Sequence, residues 1–443
     1  MNWTMADPGM AMAAEIVVTR LTSNGHEAFW VGGCVRDELL NRPVHDMDIT
    51  TSALPEEVLS IFPRCIPTGL QHGTITVLQD KYGFEVTTYR TESTYADHRR
   101  PEQVVFVKDV KEDLRRRDFT INAMACGVEG SLIDPFYGAK DLDRRIVRCV
   151  GDAEERFEED ALRMLRCVRF ASTLDFSVAK NTWRGLLRQR DKLAHIAVER
   201  VRAELERIVE GPHPRRGLGM LSRSGLLQRG KAPFPWTGSD LAAAAAYVAG
   251  IGELESARLR WALLLHALGR SAVEADELLR AWTFPGATRV SVAGVLRVRE
   301  AWTAALEEVP AGDPAGTDKL RRRWIAAVLT LGQDAAFGWL SLLRVLPADS
   351  TRVVPNLSAH SAHNELKEFP AVAQIWMSRM PVTELADLAV GGNELAEALD
   401  RRPGPWLGLV LNELLLKVAC GDILNDKQQL LAEVKRMVGH EQL

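Results

Sequence analysis

The stretch Phe29–Thr50 reads FWVGGCVRDELLNRPVHDMDIT. A short apolar run, FWV, meets Gly32-Gly33, and a helical pattern begins near Cys34. Glycines at a strand-to-helix turn let backbone N–H groups approach an anion closely, and a helix N-terminus carries about half a positive charge. Arg36, one turn in, can add a fork of donors to a phosphate. Residues i and i+2 of a strand project from one face about 6.5–7 Å apart, so Asp46 and Asp48 stand side by side. Two carboxylates beside an anion cradle can share divalent ions, and ions about 3.5–4 Å apart stabilise both the attacking and the leaving oxygen of an in-line phosphoryl displacement. Magnesium prefers such oxygen ligands, together with waters and substrate phosphates. Asp46 and Asp48 are thus candidate metal ligands and catalytic residues. A capping Asp plus a turn Asp would explain an isolated D-x-D, but the G-G-x-x-R-D spacing upstream argues against it.

Around this segment, residues up to about 145 hold short β-like runs at Ala28–Val31, Met47–Thr50, Thr74–Leu78, Phe84–Tyr89 and Val104–Val107. From Asp152 the β signals nearly vanish, and Glu154–Ala171, Asn181–Leu193 and Glu199–Glu210 carry apolar residues at helical spacing. Breaks fall at 211–214 (GPHP), 233–238 and 309–316 (VPAGDPAG). The expected fold is α+β: a mixed-sheet head followed by an extended all-helical remainder, divided as head 1–146, neck 147–210, body 211–345 and tail 346–443.

Composition narrows the function classes. Hydrophobic residues make up 46% and net charge is −4, which excludes intrinsic disorder as the main state. No apolar run is long enough for a membrane span, and MNWTMADPGMAMAAEIVV lacks the basic start and apolar core of a secretory signal, so a cytoplasmic location is expected. Six scattered cysteines without a C-x-x-C pair suggest neither a disulfide frame nor a zinc site, and the ten histidines form no H-x3-H or H-E-x-x-H cluster. Basic knots at Arg99-Arg100, Arg115–Arg117, Arg144-Arg145, Arg215-Arg216 and Arg321–Arg323 read either as solvated faces or as contacts to a polyanion.

GG-CV-RD followed by D-M-D resembles the signature of nucleotidyltransferases of the DNA polymerase β type, and the wider pattern resembles the bacterial class II tRNA nucleotidyltransferases, the CCA-adding enzymes. The resemblance continues through Thr68–Val77 (TGLQHGTITV), Phe84–Glu92 (FEVTTYRTE), Tyr95–Pro101 (YADHRRP), Asp113–Ala125 (DLRRRDFTINAMA), Asp134–Leu142 (DPFYGAKDL) and Glu158–Phe170 (EEDALRMLRCVRF). It is dense over about residues 28–210 and looser in Pro403–Asn425. It implies a nucleotidyltransferase head and template-independent addition of C, C and A to tRNA from CTP and ATP. It further implies a third catalytic acid at Glu85, and ribose and phosphate contacts from Asp118 and Arg117, with Asn122 in the same nucleotide-binding set. Asp113–Ala125 reads as a turn or helix start followed by a helix. A two-magnesium site is the expected cofactor. The partner is tRNA; a homodimer is allowed for, but nothing in the sequence fixes the oligomeric state.

Asp160 and Arg163, three apart on a helical pattern, share a face. Cytosine and adenine each present an amino donor beside a ring-nitrogen acceptor, whereas uracil and guanine reverse both features. One carboxylate and one guanidinium can therefore accept C and A and reject U and G, by about 10⁴-fold where the unmatched groups are buried. This agrees with a family that selects nucleotides with side chains instead of a template. Glu159 braces Arg163, and Arg166 and Arg169 continue toward phosphate or primer; a surface i, i+3 ion pair is the plain alternative. The loop Glu92–Pro101 resembles the one the family uses in switching from C to A. Arg260–Gly269 (RWALLLHALG) resembles a phosphohydrolase metal helix, but Ala267 stands where the aspartate would be, so it reads as core, as do the tryptophans. The rival functions are an enzyme adding only the terminal A, a poly(A) polymerase, and a catalytically silent RNA-binding protein.

Overall fold

A computed structural model describes residues 2–92, 104–309, 313–347 and 362–440. All of the loop 92–101 except Glu92, and with it the Arg99-Arg100 knot, lies outside the described residues. The chain forms two compact units, 1–242 and 243–443.

The first unit is built on β1 (Ala28–Val31), β2 (Ile49–Thr51), β3 (Cys65–Gly69), β4 (Thr74–Gln79), β5 (Tyr82–Thr88), β6 (Arg90–Glu92), β7 (Val104–Phe106), β8 (Ala125–Cys126) and β9 (Leu132–Ile133). Seven of these make one sheet in the order β3-β4-β5-β2-β1-β8-β9, and β6 pairs with β7 separately. Only β2 and β5 run parallel within the large sheet; its other pairs are antiparallel. Helices α1 (Pro8–Ser23), α2 (Gly33–Leu39), α3 (Pro55–Ile61), α4 (Val110–Arg115) and α5 (Gly138–Asp143) accompany the sheet, followed by α6 (Ala153–Glu159), α7 (Leu162–Thr173), α8 (Lys180–Gln189) and α9 (Val198–Val209). Val31, Tyr89, Val110, Leu114, Ala123, Ala125 and Val150 form one buried cluster that joins β1, α4 and β8.

Three local expectations are corrected. The strand carrying the acidic pair begins at Ile49, so Asp46 and Asp48 occupy its lead-in, although Val31 N–H still donates to the Asp48 carbonyl at 3.0 Å and continues the ladder. Residues 113–125 do not become a helix after the turn: α4 ends at Arg115, one 3₁₀ turn covers Thr120–Asn122, and β8 follows. The reason is pairing with a distant segment. Val150 N–H donates to Asp118 O (3.2 Å) and Thr120 N–H to Arg148 O (2.9 Å), which holds 118–120 extended. The helix expected over Glu154–Ala171 is broken at Asp160, whose φ of −138° and ψ of 102° are those of an extended residue. Its carboxylate accepts the Leu162 N–H at 3.0 Å and so caps α7.

The second unit is helical throughout its described residues, with long helices at Gly286–Glu308, Gly316–Leu331, Gln333–Val345 and Pro405–Cys420. Its mostly aliphatic core holds an aromatic cluster. Trp302 stacks on Phe369 at 4.0 Å between centroids, and Trp324 meets both edge-on. Of the tryptophans read as packing residues, Trp236 in the first unit and Trp261, Trp282, Trp302, Trp324 and Trp339 in the second are buried, while Trp376 and Trp406 are half-buried. His266 of the RWALLLHALG helix is buried edge-on to Trp339. No described helix is long and apolar enough to cross a membrane.

Candidate active site

Gly32 turns β1 into α2 with φ of +78°, a conformation that L side chains rarely adopt, and a Cβ there would stand 3.0 Å from Arg117 Nη1. The close approach of backbone and guanidinium marks one wall of a cavity of about 590 Å³. It is lined by Gly32, Gly33, Arg36, Asp46, Asp48, Arg117, Asp118, Asn122, Asp160, Arg163, Arg166 and Arg169, together with Asp37, His72, Arg90, Arg116, Leu162, Phe170 and Arg200.

Along the lead-in to β2, Met47 points into the core while Asp46 is exposed and Asp48 half-buried, the alternation that puts both carboxylates on one face. Glu85 is exposed on β5 and holds the register position beside Asp48, one residue before the Ile49–Val86 pair. Burial and the charges of Asp46 and Glu85 raise the Asp48 carboxyl to about 6, although Arg117 draws it down. Like charges held this close favour a bound cation. Among the described residues no three acidic, imidazole or thiol groups converge into a complete ligand set. Asp46 and Asp48, both lining the cavity, offer the one or two carboxylates that magnesium takes, its shell being filled with water and phosphate. The donors present therefore fit the expected metal.

Opposite the acids, a polar network fixes the cationic wall. Arg36 forks onto Asp37 (3.0 and 2.6 Å) and donates to Asn122 Oδ1 at 2.5 Å. Asn122 Nδ2 donates to Asp118 Oδ1 (3.1 Å), which also accepts the Phe119 N–H (2.8 Å). Arg166 grips Asp118 Oδ2 through Nε (2.8 Å) and Nη2 (2.6 Å). Burial would raise the Asp118 carboxyl, but Arg166 and Asn122 bring it down to about 2, so it is an acceptor at any physiological pH. Arg36, Arg166 and Arg169 all lie over the Phe170 ring, and Arg169 is tied at 2.6 Å to buried Glu204. Arg117 and Asp118 are neighbours in sequence but not partners in space: Arg117 turns to Asp113 and Asp118 to Arg166.

The break at Asp160 shapes the remaining wall. The Arg156 carbonyl at the end of α6 accepts the Asp160 N–H at 3.4 Å and has room for a second donor. Arg163 Nη1 donates to the Arg156 carbonyl of α6 (3.2 Å) and to Glu159 Oε2 (2.6 Å), and Nη2 donates to Arg116 O (3.1 Å). Glu159 also holds Arg156 at 2.6 Å, so the guanidinium plane of Arg163 is fixed from several sides. Asp160 Oδ2 lies 3.5 Å from Arg200. The shared helix face read from the i, i+3 spacing is thus replaced by a kink that presents Asp160 and Arg163 to the same cavity.

Sequence reasoning misses Asp37, Arg116, Arg200, Leu162, Phe170, His72 and Arg90 as site residues. Most stand inside motifs already quoted, such as RRRD, LQHGT and TYRTE, where only the fold separates lining residues from their neighbours.

Comparison with known proteins gives a consistent result. A model described as the poly A polymerase head domain matches residues 28–148, one described as a probable RNA- and SrmB-binding site of polymerase A matches 175–229, and one for tRNA nucleotidyltransferase domain 2 matches 349–434. The CCA-adding enzyme of Geobacillus thermodenitrificans is 38% identical over 417 residues, 94% of either chain. The crystal structure of the Bacillus stearothermophilus CCA-adding enzyme in complex with CTP superposes with a TM-score of 0.78 at 33% identity, covering 98% of each chain. A Thermotoga maritima CCA-adding enzyme complexed with tRNA shares the fold at 19% identity, with a TM-score of 0.65 and 98% of this chain covered against 97% of that one.

Proposed function

The chain belongs to the tRNA nucleotidyltransferase family of CCA-adding enzymes, and on that premise we propose how its own residues carry the activity. The enzyme adds C, C and A to the 3′ end of tRNA from CTP and ATP and releases pyrophosphate. What supports the residue assignment is one arrangement: the Asp46–Asp48 pair, the Gly32 turn, and the Asp160–Arg163 kink line a single cavity although they come from segments far apart in the chain.

The tRNA 3′ hydroxyl attacks the α-phosphate in line and pyrophosphate leaves. Gly33, Arg36, Arg116 and Arg117 hold the triphosphate, whose charge suits a wall carrying eight arginines. Asp118, kept ionised by Arg166, accepts from a ribose hydroxyl. Asp160 accepts the exocyclic amino group of the base while Arg163, locked by Glu159, donates to the ring nitrogen. Arg166 and Arg169 border the side where the primer enters. Asp46 and Asp48 would hold two magnesium ions, with Glu85 beside them; bound there, the metal lowers the pKa of the attacking hydroxyl and offsets charge on the leaving oxygens. The division into head 1–146, neck 147–210, body 211–345 and tail 346–443, with the helical parts on tRNA and the protein in the cytoplasm, completes the reading.

The test offers tRNA ending at the discriminator base, at C, or at CC, with single labelled nucleotides and magnesium. CTP incorporation followed by ATP is the expected result. ATP use on CC ends alone reduces the activity to terminal A addition, long homopolymers indicate poly(A) synthesis, and no incorporation leaves only RNA binding.

A further inference from the structure

Among the described carboxylates, Asp113 on α4 is one with no solvent exposure at all, and the reaction as derived so far does not use it. A carboxylate costs several kcal/mol to bury unless charged donors surround it. Here they do. Arg116 donates to Oδ1 through Nε (3.0 Å) and Nη2 (2.9 Å), Arg117 Nη2 approaches Oδ2 at 3.4 Å, and the Arg90 N–H approaches Oδ1 at 3.4 Å. The Thr50 hydroxyl lies 3.3 Å from Oδ2 and shares its one proton between this oxygen and the Thr87 carbonyl, also at 3.3 Å. Burial pushes this carboxyl up, and Arg116 and Arg117 more than reverse the push, so it sits below the ordinary carboxylate range.

The partners matter more than the count. Thr50 is two residues beyond Asp48 on the same extended segment, and so points to the same face. Arg116 and Arg117 line the cavity, and the Arg117 Nε is buried with no hydrogen-bond partner among the described residues. The carbonyl of Arg116 in turn receives Arg163. A single buried anion therefore touches the strand of the acidic pair and the phosphate-facing arginines, and reaches the base-reading guanidinium through one further hydrogen bond.

We propose that Asp113 is a positioning residue for nucleotide transfer, fixing Arg116 and Arg117 in register with the Asp46–Asp48 segment so that the triphosphate meets a preformed cationic wall. The inference rests on the reading that this cavity takes a nucleoside triphosphate. Without the carboxylate, the two guanidinium groups lose their common anchor and repel each other, and the phosphates must organise them on binding. The effect falls on nucleotide affinity for both CTP and ATP, because triphosphate and not base is what these arginines meet.

The experiment measures steady-state incorporation of CTP and ATP by the full-length wild type, Asp113→Asn, Arg116→Lys and the double variant, each corrected for folded enzyme by its melting curve. Asp113→Asn should raise KM for both nucleotides about tenfold, the equivalent of about 1.4 kcal/mol, with kcat changed less than about threefold. Arg116→Lys, which keeps the charge but cannot fork, should raise KM in the same direction, and the double variant should be no worse than the poorer single one. An unchanged KM with only kcat or folded yield reduced would make Asp113 a core staple and overturn the proposal. Additive KM effects would overturn it as well. If Asp113→Asn does not fold, an unchanged KM in Arg116→Lys overturns it alone. A wild type that uses neither nucleotide defeats the functional reading itself, a result distinct from any of these.

Discussion

Arg115–Arg117 and Arg321–Arg323 are the same triplet written twice, yet they do different chemistry. In the first, Asp113 gathers two of the guanidinium groups from a fully buried position and leaves them facing a cavity. In the second, each arginine is spent at the surface of its own helical unit: Arg321 on Asp318 (2.9 Å) and the Cys420 carbonyl (3.0 Å), Arg322 on Asp422, and Arg323 on Glu308 (2.5 Å). The second set closes the end of the Pro405–Cys420 helix onto its neighbours. The first triplet presents two guanidinium groups to open space from a buried acid, whereas the second is paired off at the surface.

The most severe way to break the comparison is to remove the acids facing the first triplet. Asp46→Ala should lower transfer by about 10³-fold or more while leaving tRNA binding in a gel-shift assay intact. Residual activity within tenfold of wild type would mean that this pair does not hold the metal.

Arg163→Ala sharpens the contrast by separating selection from binding. Discrimination against UTP and GTP should fall by about 10²-fold or more, with a much smaller change in melting temperature. Unchanged selectivity would move base reading elsewhere. Arg117→Ala should raise KM for CTP and ATP together, by about 10–100-fold for the loss of a charge-assisted phosphate contact.

Acidity gives a further test. The Asp48 carboxyl holds its proton at about 6 in the folded protein against an ordinary 3.8. Its ionisation therefore costs folding stability as pH rises between those values, and the cost is constant above them. In chelator, Asp48→Asn should be inactive yet more stable than wild type at pH 8, by on the order of 1–3 kcal/mol, and the gain should vanish at pH 4. Equal stability at both pH values would contradict the acid cluster.

The smallest effect belongs to the second triplet. Replacing Arg321, Arg322 and Arg323 together by alanine removes solvent-exposed pairs that contribute about 0–1 kcal/mol each. The melting temperature should drop by a few degrees, with nucleotide KM unchanged. A fall of about one unit or more in the salt slope of tRNA binding would show that these arginines also meet phosphates.

The chain's local features are legible in the residues themselves. The G-G turn, the D-M-D alternation and the apolar stripe of Phe157, Ala161, Leu165 and Val168, all fully buried, follow periods that each segment carries within itself. Other features depend on partners tens of residues away. Residues 113–125 read locally as a turn continuing into helix, and their backbone instead pairs with 148–150. The Glu154–Ala171 pattern fits one helix by spacing and propensity, yet the kink prevails because Arg163 satisfies carbonyls of both α6 and Arg116, and Asp160 caps α7.

Sequence alone therefore determined the two-part architecture and the acidic pair on one face, because alternation and helical spacing act over a few residues, while the family and most of the residues that line the cavity were legible from the ordered motifs that resemble known nucleotidyltransferases. Only the tertiary structure decided which arginine faces which acid, where the Glu154–Ala171 pattern breaks, and that Asp113 is buried between Arg116 and Arg117. Those outcomes depend on desolvation and on hydrogen-bond partners brought together by folding, which no local pattern encodes.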